Sequence, residues 1–264
     1  MKNKIKKIII LLLLVSTNIL FAQEYEKANG FWNATFLDLP ISDKVSFRSE
    51  FHFRTTSYFR IWDQQLYRPQ LSYSPSKNVS WRAGYTYIKG YGRDISADPR
   101  VRAEHNLWEQ VQFTAPLKKS SFSTWIRLEH RFQEELPLQK NNKMRTFDFS
   151  SRLRFRLTYQ KSLSKPDSKT KWNLVVYDEI FSILNRKGIP FKFNQNWTFL
   201  GFNVKLNKKA TLLSGFQKNI IAKPNNTYLI NRFWNYKWIN SLTNIAFRLH
   251  GYKIGIMDGM DTIL

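Results

Sequence analysis

Cysteine is absent from this 264-residue chain. That excludes disulfides, cysteine-based metal sites and a lipid-modified amino-terminal cysteine. Long apolar runs are nearly absent as well. The unbroken stretch from Ile8 to Val15 falls short of the about 20 apolar residues that a spanning helix needs, and none follows it. Acids are scarce: 19 Asp and Glu stand against 42 Lys and Arg, for a formal net charge of +23. Such a surplus favours anionic partners, namely lipid phosphates, lipopolysaccharide, acidic solutes or nucleic acid. Histidine is limited to His52, His105, His130 and His250, on separate segments and outside any metal-ligand spacing. Phosphate-cradling glycine loops are missing too, because no helix follows Gly84, Gly90 or Gly92. Without Gly/Ser-rich or Pro-rich linkers or low-complexity tracts, a single domain is expected.

What is present begins with an export pattern. Lys2, Lys4, Lys6 and Lys7 precede the apolar run, and Leu20-Phe21-Ala22 ends in a small residue before Gln23. This predicts a signal peptide over residues 1–22 and one mature domain over 23–264. A transmembrane anchor is the competing reading, and the run is too short for it. Export also weakens the nucleic-acid reading of the charge, so no nucleic-acid partner is expected.

The strongest pattern is strict alternation. From Val45 to Phe53, Val45, Phe47, Phe51 and Phe53 share one parity, while Arg48, Glu50 and His52 share the other. From Met144 to Tyr159, Phe147, Phe149, Leu153, Phe155, Leu157 and Tyr159 oppose Asp148, Arg152, Arg154 and Arg156. Successive strand side chains point to opposite faces, so each segment is greasy on one side and ionic on the other. A barrel in a bilayer has that character, with its apolar face toward lipid and its polar face toward the lumen. An all-β fold is therefore predicted: an antiparallel up-and-down transmembrane β-barrel of ten to twelve strands. Most segments run about ten residues or longer, the span a tilted strand needs. The aromatic content of 16% suits interfacial girdles, for which Trp172, Trp197, Trp234 and Trp238 are candidates. Turn chemistry punctuates the strands at Leu39 to Asp43, Ser74 to Asn78 and Ser164 to Ser168. Longer polar links surround Gly90 to Arg100, Glu134 to Lys143, Asn185 to Pro190 and Ile221 to Asn226. A first strand starting in the periplasm would put the short turns on the outer side, which conflicts with the usual arrangement.

The polar parity supplies the candidate site. Arg48, Glu50, His52, Arg68, Arg82, Arg127, Glu129, Arg131, Arg152, Arg154 and Arg156 are predicted to face the lumen. Guanidinium–carboxylate pairing could turn them into a rigid ionic filling; the surplus of Arg over Glu equally suits contacts to an anion. No catalytic constellation emerges. Ser49 and His52 have opposite parities, Asp178 and Glu179 are adjacent and point apart, and His130 shares the lipid-side parity of Ile126, Leu128 and Phe132.

Several segments together resemble a known family. They are Trp32-Asn33 after Phe21-Ala22-Gln23, Glu50-Phe51-His52-Phe53-Arg54, Arg68 to Tyr73, Gly84-Tyr85-Thr86-Tyr87 and Glu104 to Gln110. Leu128-Glu129-His130-Arg131-Phe132, Arg152 to Leu157 and Asp178-Glu179-Ile180-Phe181 complete the series. In this order they resemble the bacterial outer-membrane family catalogued as domain of unknown function 2490, over roughly Gly30 to Gln217. The resemblance implies a monomeric outer-membrane barrel and brings no activity, cofactor or catalytic residue. The carboxyl end departs from the usual aromatic finish of such barrels, closing on Thr262-Ile263-Leu264, so either an atypical closing strand or a diverged chain end is expected.

The expectation is an outer-membrane protein of a Gram-negative bacterium, with a structural role or with binding and passage of small anionic material through a basic lumen. Its expected partners are outer-membrane lipid, lipopolysaccharide and the barrel insertion machinery. No cofactor, metal or catalytic residue is expected. Two alternatives stand beside it: a barrel enzyme acting on lipid or lipopolysaccharide, and a secreted soluble basic β protein that binds polyanions.

Overall fold

The alternating segments fold as strands because a period of two places each apolar set on one surface and each charged set on the other. The computed structural model describes residues 25–91, 101–135, 145–165, 167–186, 192–207, 209–222, 228–241, 248–249 and 252–253. The expected export segment over residues 1–22, most of the longer links and the carboxyl end lie outside the described residues.

Eleven strands form one closed barrel. They are β1 (Tyr25–Pro40), β2 (Val45–Thr56), β3 (Ile61–Ser76), β4 (Val79–Gly90), β5 (Arg102–Pro116) and β6 (Ser120–Glu135). The wall continues with β7 (Thr146–Ser162), β8 (Lys171–Arg186), β9 (Lys192–Lys205), β10 (Ala210–Ala222) and β11 (Tyr228–Ser241). A separate pairing joins the two-residue β12 (Arg248–Leu249) and β13 (Tyr252–Lys253). Barrel strands of 12 to 17 residues exceed the usual soluble length of about five or six. No helix among the described residues is long and apolar enough to cross a membrane.

Neighbours pair antiparallel around the wall until closure, where β1 meets β11 in parallel from Tyr25↔Tyr228 to Asp38↔Ser241. An odd number of otherwise antiparallel strands makes one parallel pairing unavoidable. The expected ten to twelve strands contain this number, and the parallel seam is a finding of the structure. The seam also addresses the topological conflict. β1 is a full strand of the wall, and it runs with β11 from the end carrying links 91–101 and 136–145 to the end carrying links 41–44, 77–78 and 117–119. We call the latter the turn end and the former the loop end.

The outer wall is apolar and exposed. Phe51, Phe149 and Phe155 are each roughly two-fifths exposed rather than meeting in a dry interior. The inner wall is where burial is concentrated, and its buried set mixes Trp108, Phe181, Phe199 and Phe233 with Glu129, Glu179, Arg154 and Gln217. A closed pair of glycines thins it locally. Gly201 and Gly215 pair directly, and a Cβ at Gly215 would lie 2.4 Å from the Leu200 carbonyl oxygen and 2.8 Å from the Phe199 ring. Phe199 lies over both glycines, which is how a phenyl ring fits inside the wall with no exposed surface.

Candidate functional site: the lumen cavity and its ionic network

The lumen network starts from an electrostatic conflict. The β6–β7 register sets Arg127 opposite Arg154, and like charges directly opposite destabilise a sheet. Carboxylates from the same face resolve it. Glu129 lies opposite Arg152 and accepts from its Nε at 2.7 Å and from Arg154 Nη1 at 2.6 Å. Glu179, from β8, accepts from Arg154 Nε at 2.7 Å and Arg156 Nε at 2.8 Å. Arg154 therefore bridges two fully buried carboxylates, and Arg127 Nη1 sits 3.9 Å from Glu129. Removing such charges from water is costly, and pairing with hydrogen bonds on both partners is what makes it tolerable.

Smaller clusters flank this centre. Glu50 accepts from Gln70 Nε2 at 2.6 Å and from Arg68 Nη1 at 3.0 Å, and His52 Nε2 lies 3.0 Å from it. Arg131 makes a bidentate pair with Glu104 at 2.7 and 2.8 Å. Arg48 forks onto Asp38 near the turn end, Nη2 donating to Oδ2 at 2.7 Å. Arg127 donates through Nε and Nη2 to Gln110 Oε1, and its guanidinium rests 3.9 Å above the Trp108 ring. Arg82 stands apart: its shielded Nε has no hydrogen-bond partner among the described residues.

The other half of the wall is built from rings and amides. Trp32 stacks on Phe233 at 4.4 Å and meets Trp197 edge-on at 5.1 Å, while Phe181 packs on Trp197 at 4.6 Å. Gln217 accepts from Tyr177 Oη at 2.8 Å and from Asn235 Nδ2 at 2.7 Å, and donates to Asn219 at 2.7 Å. The two halves meet where Arg54 of β2 lies 4.0 Å over Trp32, its register partner on β1, and reaches 5.7 Å from Trp197 of β9.

Between them lies a cavity of about 230 Å³, lined by seven arginines and Lys237 against the single carboxylate of Glu50. Toward the turn end it adjoins a serine-lined vestibule of about 330 Å³, and Arg48 and Arg82 line both. At the loop end a third space of about 250 Å³ has the opposite character, with Glu104, Glu134, Glu135 and Asp148 around it.

The sequence-predicted residues thus fall into two sets. Arg48, Glu50, His52, Arg68, Arg82, Arg127, Arg154 and Arg156 line the central cavity, while Glu129, Arg131 and Arg152 stand behind it in the network. Sequence reasoning missed Asp38, Glu104, Glu179 and Lys237: Asp38 and Lys237 are isolated among uncharged neighbours of the same parity, Glu104 has only Arg102 beside it on its face, and Glu179 stands beside another acid. One expectation is corrected: Trp197 is not a girdle residue but faces the lumen, because Gly201–Gly215 pairing and the register shift in β9 fix its strand's inner parity. Trp172, Trp234 and Trp238 are exposed.

Nothing resembling a hydrolytic centre forms among the described residues. Ser49 and His52 lie on opposite faces of β2; His105 Nδ1 pairs with Tyr85 Oη at 2.6 Å; and His130 stacks on Phe149 on the outer wall. His250 lies outside the described residues. Asp178 is engaged outside the barrel by Asn196 and Thr198 at 2.9 Å each, while Glu179 points in. Among the described residues no group of three His, Asp or Glu is placed to hold a metal ion.

Among curated proteins and among solved structures nothing matches the chain. The family described as protein of unknown function, DUF2490, matches residues 29–229, from β1 to the start of β11. That span contains the carboxylate nodes and most of the cavity wall, and by it the chain belongs to this family, the one its motifs resemble.

Proposed function

We propose that this protein is an outer-membrane β-barrel, exported by the segment over residues 1–22, whose basic lumen binds small anions. One observation carries the reading: a closed wall is apolar outside, and its inner cavity is lined by seven arginines and one lysine. Of these, Arg48, Arg154 and Arg156 are answered from behind by Asp38, Glu129 and Glu179, and the rest face the single lining carboxylate of Glu50. Cations held away from bulk water without enough counter-charge gain most from a mobile anion that supplies it. Binding is favoured over passage because the fully buried rings of Phe181 and Phe233 stand loopward of the cavity-lining Tyr177 and Asn235 on β8 and β11. The exposed aromatics suit contact with lipid and lipopolysaccharide, reached through the barrel insertion machinery as a monomer.

The test has two parts. Cell fractionation should place the full chain in the outer membrane, and the detergent-extracted protein should migrate differently on gels before and after heating. Recovery as a soluble periplasmic protein overturns the membrane reading. In planar bilayers the protein should be silent, and a steady anion-selective current would replace binding by passage.

A further inference from the structure

The cavity is asymmetric in a way that a general anion site does not require. Its guanidinium wall comes from β2 to β7, whereas Trp32, Ala34, Phe36, Leu213 and Ile239 supply an apolar wall from β1, β10 and β11. Two cations on these walls are uncommitted. Arg82 makes no ion pair and no hydrogen bond among the described residues, and its Nε is shielded from solvent. Lys237, on the apolar wall, makes none among them either; its Nζ lies 5.8 Å from the Tyr177 ring. The remaining Arg127 Nη1 is likewise buried without a hydrogen bond. A buried donor left unmade is costly, so Arg82 Nε and Arg127 Nη1, together with the half-buried, unpaired Lys237 of the apolar wall, describe what an occupant would have to accept.

We infer that the cavity holds one small amphiphilic anion: a carboxylate or similar acid group on a single-ring or short apolar body, admitted from the turn end. This rests on the anion-binding reading above and adds the class of ligand. Size agrees, since a dry cavity of about 150 Å³ accepts benzene, and about 230 Å³ leaves room for an acid group besides. The acid group meets Arg82, Arg127 and Lys237, while the body lies on Trp32, Phe36 and Leu213. Direction follows from charge. The vestibule at the turn end shares Arg48 and Arg82 with the cavity, whereas the loop-end space sets Glu104, Glu134, Glu135 and Asp148 against Arg102 on its wall, an acidic balance that disfavours anions. Fully buried Phe181 and Phe233 stand loopward of the cavity-lining Tyr177 and Asn235 on their own strands, which favours the turn-end mouth for both entry and exit.

Calorimetric titration of the detergent-solubilised full chain at fixed low ionic strength tests this with three probes: benzoate, inorganic phosphate and benzyl alcohol. Benzoate is expected to bind at least about tenfold more tightly than either of the others. Equal affinities for phosphate and benzoate overturn the amphiphile and leave the anion reading standing; silence toward both anions overturns both. Benzyl alcohol binding as well as benzoate removes the role of the cations. R82M and K237M should each weaken benzoate about tenfold or more. R82M should also keep or raise barrel stability, because it deletes an unpaired cation near Arg48. A folded R82M with unchanged benzoate affinity sinks the assignment. Should R82M not form the heat-shifted barrel band, K237M decides in its place, and unchanged benzoate affinity there sinks the assignment equally.

Discussion

The two halves of the lumen wall solve the same packing problem with different chemistry. From β2 to β8 the interior is filled by charge: Glu129 and Glu179 gather Arg152, Arg154 and Arg156 into one hydrogen-bonded cluster. From β9 through β11 to β1 it is filled by rings and amides, centred on Phe199, Phe233 and Gln217, with Lys237 as the cation that lines the cavity. The comparison teaches that rigidity and function need not share a location. In the charged half most donors are consumed by internal carboxylates, so that half is scaffold wherever acid matches base. Ligand-binding capacity is left where the match fails, at Arg82 and Arg127 of the charged half and Lys237 of the other, all three lining the cavity between them.

Breaking the charged half should cost most. Glu129→Ala leaves Arg152 without its carboxylate, takes one of two from Arg154 and removes the only acid near Arg127 Nη1 among the described residues, and losing one partner of a buried charge cluster costs about 3–5 kcal/mol. Denaturant titration of the heat-modifiable band reads this directly; a loss below about 1 kcal/mol would mean water already reaches the cluster. Next comes the outer wall of the same half. Phe155→Arg places a guanidinium on the exposed face of β7 and should cost about 2–4 kcal/mol in lipid vesicles. Equal stability of this variant in vesicles would argue that no bilayer contacts the face. In the amide half, Gln217→Ala leaves Tyr177 Oη and Asn235 Nδ2 without their acceptor and should cost about 1–3 kcal/mol. An effect as large as that of Glu129→Ala would erase the distinction between the halves.

The same distinction decides what was legible in advance. The charged half could be read from sequence because strict alternation sets its charges against large apolar side chains, so Arg48, Glu50, Arg127, Glu129 and the arginines of β7 announce a shared face. The ring half could not. In β9 the order Asn196-Trp197-Thr198-Phe199 fits rings outside and polar groups inside equally well. The structure chooses the reverse because Asp178 satisfies Asn196 and Thr198 on the outer face, and because only Gly201 opposite Gly215 leaves space for the Phe199 ring. Neither condition lies within β9 itself. Glu179 escaped for a similar reason, since two adjacent acids at Asp178 and Glu179 give no clue to which one enters the lumen. The parallel β1–β11 seam follows from the count of strands around the whole wall, a property no single segment carries.

The smallest effect sharpens the comparison within two adjacent residues. Phe199 has no exposed surface, whereas Leu200 is 56% exposed on the outer face of the same strand. Leu200→Ala removes side-chain atoms that touch little protein, so in detergent it should change stability by less than about 0.5 kcal/mol. A buried leucine treated the same way would lose about 2–5 kcal/mol, because the cavity left behind adds to the transfer loss. Leu200 is therefore a single-residue gauge of which side of the wall is solvent or lipid. A loss in the buried range would place it in a protein core and require the inner and outer faces of β9 to be exchanged. Such an exchange would carry Trp197 out of the cavity and Asn196 into it, turning the ring-lined half of the lumen into a second polar surface.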